Sequence, residues 1–317
     1  MSHSRVVADR PPGGRLRSDI TRWLDRVPRL KAVLKKVWSY YRRRAEGEAI
    51  ILARYERIHG HPLNLTTPSR FTEKLNCRMV AMHRREQPLF TRLTDKYAVR
   101  SFVAGCIGET YLTRLYWHGT HASRIPFDRL PERFVVKSNH ASGQIIQVDG
   151  AVDRESIIAT AHEWLEVNYY WHAREYQYLG IRPRILVEEF LDDGAVDGPL
   201  DYRFWCFEGV PAVIQIGNHR HVINPFFDLE WNRLDLTYRP GSLDVAIPKP
   251  PGLELMITLA SRLSAGIDFV RVDLYNLQGR ICFGEMTFTP VSGQLTFHPE
   301  RWDLELGQKW VLRDLPA

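Results

Sequence analysis

Two apolar strands with acids set into them constrain this chain more than any other feature: Phe269-Val-Arg271-Val-Asp273-Leu, a turn, then a second strand ending Gly284-Glu285-Met-Thr287. Side chains alternate along an extended strand, so Arg271 and Asp273 share one face, as do Glu285 and Thr287. Asp273 and Glu285 lie twelve residues apart with Gly279 at the midpoint. If the strands pair, a turn with an odd residue count, or a bulge, puts both carboxylates on the same side. Gly279 can supply the positive φ such a turn requires. Two carboxylates and a nearby oxygen are what Mg²⁺ needs when phosphates complete its shell. The same pattern also fits a solvated hairpin edge on which both acids pair with Arg271.

The rest of the chain reads as helices alternating with antiparallel strand pairs, an α+β arrangement. From about His59 to Leu130 the pattern is mostly helical, with Thr72-Glu73-Lys74 opening one helix and Thr94-Asp95-Lys96 inside or at the start of another. Strands are predicted at 134–137, 145–148, 185–190, 202–207, 211–216, 269–275 and 280–285, and helices at 153–179 and 252–265. The net charge of +6 is uneven: through Arg54 there are 14 Lys and Arg against 5 Asp and Glu, so the remainder carries +6 − 9 = −3. A helix with Lys31, Lys35, Lys36 and Arg42-Arg43-Arg44 opposite Trp38 and Tyr41 could lie on an anionic membrane or dock on its own protein. The mildly acidic remainder argues against nucleic acid as a partner. The first fifty residues are Arg-rich with no apolar run of the secretory kind, and no stretch reaches the ~18 apolar residues of a membrane span. Cys77, Cys106, Cys206 and Cys282 are widely spaced and read as reduced, buried or half-buried thiols. The expected location is therefore cytoplasmic, possible attachment being to the inner face of the membrane.

Two further stretches have chemical potential. Lys137-Ser138-Asn139-His140-Ala141-Ser142-Gly143 follows an apolar strand, and a lysine with a small-residue loop can hold phosphates by charge and backbone N–H groups. It lacks the GxxxxGK[ST] order of a Walker loop. Ile185-Leu-Val-Glu188-Glu189-Phe190-Leu191 ends an apolar strand in two acids. An adenine can pair with backbone there while an acid holds ribose hydroxyls, although the pattern by itself favours a strand that simply ends in solvated acids.

Taken in order, GHPLNLTTPSRFTEKLN (60–76), PLFTRLTDKYAVR (88–100), RFVVKSNHASG (133–143), RPRILVEEFLDD (182–193), DYRFWCFEGVP (201–211), FFDLEWNRLD (226–235) and FVRVDLYNLQGRICFGEMTFTPVSG (269–293) resemble the TupA-like ATP-grasp family of bacterial polysaccharide and teichuronopeptide biosynthesis. The resemblance implies two α+β lobes clasping ATP. It implies a helical extension over 1–58, a mainly helical region over 59–130, a small lobe over 131–191 and a large lobe with the metal site over 192–317. Carried over by position, Lys96 and Lys137 match the two nucleotide lysines, and Ser142 and Gly143 the loop closing over the phosphates. Glu188, Glu189, Phe190 and Leu191 resemble the adenine hinge, and Asp201 is a candidate for the ribose. Asp273, Glu285 and Thr287 match the magnesium ligands, while Arg271 and Arg203 would face the substrate carboxylate or the transferring phosphoryl group. Two departures stand out: Thr287 replaces the usual Asn, and 60–130 is short and helical for an N-terminal α/β lobe.

The implied activity is Mg-ATP-dependent ligation of a carboxylate to an amine, with a carboxylate-bearing sugar or amino acid as substrate. A glycosyltransferase and an ATP-grasp kinase are the competing readings, and the chain has no DxD triplet of the sugar-nucleotide kind. A non-enzymatic binder of acidic glycan or membrane through 1–54 is a third. His118 and His121 (HxxH) and His219 and His221 (HxH) have no Cys or carboxylate partner at zinc-ligand spacing. His140 lies in the loop expected to meet phosphate, and Tyr169-Tyr170-Trp171 with Tyr176 and Tyr178 could pack a core or stack on sugar rings.

Overall fold

A computed structural model describes residues 46–195, 198–218, 222–242 and 245–313. The chain divides into residues 1–47 and 48–317, and every element below belongs to the second unit. The basic helix expected before Arg44 and the HxH pair lie outside the described residues.

Two antiparallel sheets carry the architecture. The smaller contains β1 (Leu115–Gly119), β2 (Arg133–Ser138), β3 (Ile145–Asp149) and β4 (Ile185–Glu189) in the order β1-β4-β2-β3. Its Phe134, Val136, Ile185 and Val187 point to one side, where Ile157 and Ala161 of the helix Arg154–Glu166 close a core. The opposite face carries the alternate residues, Lys137 and Glu188 among them, because neighbours on a strand point oppositely. Strand β1 falls inside the segment read as mainly helical and completes this sheet.

The larger sheet contains β5 (Asp201–Phe207), β6 (Val210–Gly217), β7 (Phe226–Phe227), β8 (Arg233–Leu234), β9 (Phe269–Leu277) and β10 (Arg280–Thr287) in the order β10-β9-β5-β6-β7-β8. Val270, Val272 and Leu274 of β9 pack against Leu253, Met256, Leu259 and Leu263 of the helix Leu253–Ser264. The other face of β9 changes character along its length. Phe269 is buried with Trp205, Phe71 and Trp310 beneath the helix Phe71–Arg84, whereas Arg271 and Asp273 follow on the same side. One strand thus passes from aromatic core to a buried charged cluster without changing face.

The predicted single helix over 153–179 is broken into Arg154–Glu166, Tyr170–Ala173 and a 3-10 turn at Tyr176–Tyr178. Val167 is extended, and Asn168 caps the next turn by accepting from the Tyr170 N–H while its amide donates to the Leu179 carbonyl. Asn offers the backbone this local alternative to helix, which periodicity alone does not register. Thr94 ends the helix Pro88–Thr94, and Asp95 accepts from the backbone N–H groups of Tyr97 and Ala98 just before the helix Val99–Ile107. All four cysteines are free thiols, three buried and Cys106 half-buried.

Candidate functional site

The hairpin joining β9 to β10 turns on Gln278 and Gly279, both at positive φ (53° and 104°). A two-residue turn alone would set Asp273 opposite Gly284. Instead the register shifts between Phe283 and Glu285, so that Glu285 faces Asp273 and Thr287 faces Arg271. Gly284 takes the extra position of this bulge, where an added Cβ would lie 3.0 Å from the Asp273 carbonyl oxygen and 3.2 Å from the Tyr275 ring. The bulge therefore supplies the odd residue that brings both acids to one side.

Arg271 reports where their oxygens converge. Its Nη2 donates to Asp273 Oδ2 at 2.6 Å and Thr287 Oγ1 at 3.1 Å, and lies 3.4 Å from Glu285 Oε1. Its Nε donates to the other oxygen of Asp273 at 2.7 Å. The Thr287 hydroxyl donates to Glu285 at 3.0 Å. Burial pushes the Asp273 carboxyl up to about 7 against the pull of Arg271, with Asp201 adding to the rise. Burial also works on Glu285, but Lys96 and Arg271 outweigh it and hold that carboxyl below its usual range.

Across from these acids stands the loop after β2. Lys96 Nζ donates to the Ala141 carbonyl at 2.8 Å and lies 3.8 Å from Glu285 Oε2, so a single ammonium joins the loop to the large sheet. Asp95 holds it there by accepting from Asn139 Nδ2 at 2.8 Å, and the Lys96 N–H donates to the Asn139 carbonyl. Burial lowers the Lys96 pKa, and Glu285 opposes that shift. Ser142 meets the Tyr169 hydroxyl, and Gly143 adopts φ +75°. His140 faces the Trp164 and Val167 carbonyls and Asn139 Oδ1, ties internal to the protein.

Lys137 lies on the same side of the small sheet, 2.6 Å from Glu188. The Glu188 carboxylate is 3% exposed and also accepts from Arg100 (3.2 Å) and Thr113 (3.0 Å). It is the anchor of Lys137, and its backbone is paired within the sheet between β1 and β2. Glu189 is engaged by Arg280 through both oxygens, at 2.6 and 2.8 Å, which lowers its pKa. Phe190 lies under the Arg133 guanidinium, and Leu191 is half-buried beside it. Both acids, Glu188 and Glu189, are thus engaged by bases within the protein.

Asp201 differs from them. One of its oxygens accepts from Arg203 Nε at 2.8 Å, while Oδ1 is buried without a partner among the described residues. The Arg203 guanidinium lies over Gly217, where an added Cβ would come within 2.7 Å of it, and is 4.0 Å from Asp273. Three acids (Asp201, Asp273, Glu285) thus stand among three bases (Lys96, Arg203, Arg271). Tyr275, the cross-strand partner of Asp201, has its pKa raised well above the ordinary phenol value, chiefly by that acid.

The oxygens of Asp273, Glu285 and Thr287 suit a hard cation: all three already converge on one guanidinium nitrogen. No group of three His, Cys, Asp or Glu arranged for a metal occurs among the described residues. The set is incomplete by itself, as expected where phosphate oxygens finish an Mg²⁺ shell. Arg100, Thr113 and Asp95 orient the lysines, as does Asn139 from within the Lys137–Gly143 stretch, and no local pattern gives any of them that role. Thr94-Asp95-Lys96 marked Asp95 only as part of a helix boundary, and nothing local marks Arg100 or Thr113 as partners of Glu188. Tyr178 was visible as one of an aromatic group; its pKa is raised well above normal by burial and by Glu175 and Glu285. His118 of the HxxH pair accepts from Arg184 at 2.8 Å, and its other nitrogen is 3.1 Å from the Tyr97 hydroxyl.

A family model described as TupA-like ATPgrasp matches residues 73–311. No curated protein sequence is significantly similar to this one. Among solved structures, D-alanine–D-alanine ligase from Bacillus anthracis complexed with ATP is 16% identical with a TM-score of 0.39, over 63% of this chain and 54% of that one. D-alanine–D-alanine ligase from Helicobacter pylori is 16% identical (TM-score 0.38, 69% and 61% covered), and D-cycloserine synthetase DcsG is 14% identical (TM-score 0.39, 74% and 76% covered). This chain therefore spans about half the length of the first. At these scores the likenesses carry no argument about activity.

Proposed function

Because the chain belongs to the TupA-like ATP-grasp family, we propose that it is a Mg-ATP-dependent carboxylate–amine ligase working through an acyl phosphate. The observation that carries this reading is the convergence of Asp273, Glu285 and Thr287 opposite Lys96, which reaches from the Ala141 loop. In this reading the triphosphate lies between the two sheets, with Lys96 and Lys137 on its oxygens and Ser142 and Gly143 in the covering loop. The unpartnered Asp201 Oδ1 suits a ribose hydroxyl, a neutral donor. Magnesium held by Asp273, Glu285 and Thr287 would neutralise charge on the phosphates.

The substrate carboxylate oxygen attacks the γ-phosphorus as the bond to the β-phosphate oxygen breaks, releasing ADP. Arg271 and Lys137 stabilise charge on the transferring group. An amine then attacks the acyl carbon, phosphate leaves, and loss of a proton yields the amide. From the family's association with bacterial surface polysaccharide, the carboxylate would be a uronic acid or an amino acid, and the amine an amino acid or peptide.

The test is a hydroxylamine trap. Enzyme, Mg-ATP, hydroxylamine and one member of a panel of uronic and amino acids should yield a hydroxamate and ADP in equal amounts. ADP release that needs no amine, with a phosphorylated sugar as product, would establish a kinase instead. No turnover across the panel would count against ligation.

A further inference from the structure

The polar row that starts at Glu285 and crosses Asp273 and Arg203 reaches Gln215 on β6. Gln215 is fully buried, and its orientation is fixed by chemistry. The Trp205 indole N–H can only donate, so the atom it meets at 3.2 Å is the amide oxygen. The Gln215 Nε2 then donates to Asn224 Oδ1 at 2.5 Å and to the Tyr238 hydroxyl oxygen at 2.6 Å. Both recipients therefore turn their own hydrogens away from Gln215.

Asn224 is 3% exposed, and its Nδ2 has no hydrogen-bond partner among the described residues. Leaving such a group unmet costs roughly 1–3 kcal/mol, so it calls for an explanation. Arg271 adds a donor, since its protein hydrogen bonds run through Nε and Nη2 and leave Nη1 uncommitted among the described residues. The Tyr238 hydroxyl is close enough to be felt electrostatically by both Arg271 and Arg203.

Among the described residues around Gln215 the uncommitted groups are donors: Asn224 Nδ2, the Tyr238 O–H and Arg271 Nη1, whereas the free acceptor Asp201 Oδ1 lies beyond Arg203 on β5. A neutral amide or hydroxyl ligand would bring hydrogens of its own; an anion with two acceptor oxygens would not. We propose that Asn224 Nδ2, the Tyr238 hydroxyl and Arg271 form a subsite for a substrate carboxylate, oriented from behind by Gln215 and Trp205. The inference rests on the ligase reading for which carboxylate enters, but the donor polarity stands without it.

Calorimetric titration of the whole chain with acetate, D-glucuronate and L-glutamate tests this, with acetamide and glucuronamide as neutral counterparts and with Mg-AMPPNP present or absent. At least one carboxylate should bind, its neutral counterpart at least about tenfold more weakly. Asn224→Asp, which places an acid against the ligand, should weaken the carboxylate by at least about tenfold while AMPPNP affinity and melting temperature hold. Tyr238→Phe should weaken it by several-fold, on the order of one neutral hydrogen bond, and decides the matter if Asn224→Asp does not fold. Equal binding of acid and amide, absence of binding by all three carboxylates, or unchanged affinity in both variants would overturn the subsite. Carboxylate binding with no hydroxamate formation would fault the ligase reading and leave the subsite in place.

Discussion

Thr287 is the residue where this chain departs from the ATP-grasp pattern, and its surroundings explain how the departure works. Its hydroxyl lies between Arg271 and Glu285, so it can offer an oxygen on the same side as both acids. Thr287→Val should raise the Mg²⁺ needed for half-maximal ADP release by roughly 10- to 100-fold, the range seen when metal-site support is removed. Asp273 adds a pH dependence to the same titration. With its pKa pushed up to about 7, it is protonated below neutrality and must lose that proton to serve a cation. The Mg²⁺ requirement should therefore climb as pH falls through about 7 and level off above it. A requirement that stays flat from pH 6 to 8 would mean Asp273 is not a ligand.

Individual elements hold these side chains by backbone geometry and by buried polar ties. Gly284→Ala puts a Cβ against the Asp273 carbonyl and the Tyr275 ring, so the strand ladder must shift. Thermal unfolding should show a loss of about 1–3 kcal/mol, the usual range for overpacking, together with a raised Mg²⁺ requirement. At the other end of β9, Arg78 donates to Asp268 at 2.6 Å and to the Phe269 carbonyl at 2.8 Å, tying the helix Phe71–Arg84 to the strand. Burial alone would raise the Asp268 pKa, but Arg78, the Trp310 indole and the Phe269 N–H outweigh it and hold the pKa down. A depressed folded pKa means the acid contributes stability above its unfolded value of about 3.9. That contribution is lost as pH falls through the folded value. Asp268→Asn removes the negative member of a buried pair and should cost roughly 3–5 kcal/mol at pH 7. The difference between parent and variant in urea unfolding should shrink in acid.

At the scale of the whole molecule, charge is unevenly spread. Through Arg54 the chain carries an excess of +9, from 14 bases and 5 acids, while the site sits in the acidic remainder. If the basic segment serves a membrane, the full chain should sediment with phosphatidylserine vesicles at low salt and release as salt rises. A chain lacking residues 1–44 should stay in solution yet keep its ADP release. Equal vesicle binding by both would remove the membrane role.

Much of this was legible in the sequence because it depends on local rules. Apolar patterning located seven of the ten described strands but not β1, β7 or β8, and the spacing of Asp273, Glu285 and Thr287 limited which residues could share a face. The ordered motifs from 60 to 293 pointed to the family that the match over 73–311 established. Other features depend on partners far along the chain, and local pattern is silent about those. The bulge at Gly284 chose one register over its neighbour through contact with Asp273 and Tyr275 on the facing strand. Glu188 became an anchor for Lys137 because Arg100 and Thr113 arrive from elsewhere to share its charge. Gln215 shows the division most clearly. Composition makes it one more polar residue on a strand, whereas burial between Trp205, Asn224 and Tyr238 fixes which way its amide points. Sequence determined which chemical groups lie on each face; tertiary packing decided which of them are left without a partner, because only packing removes water and commits each donor to one acceptor.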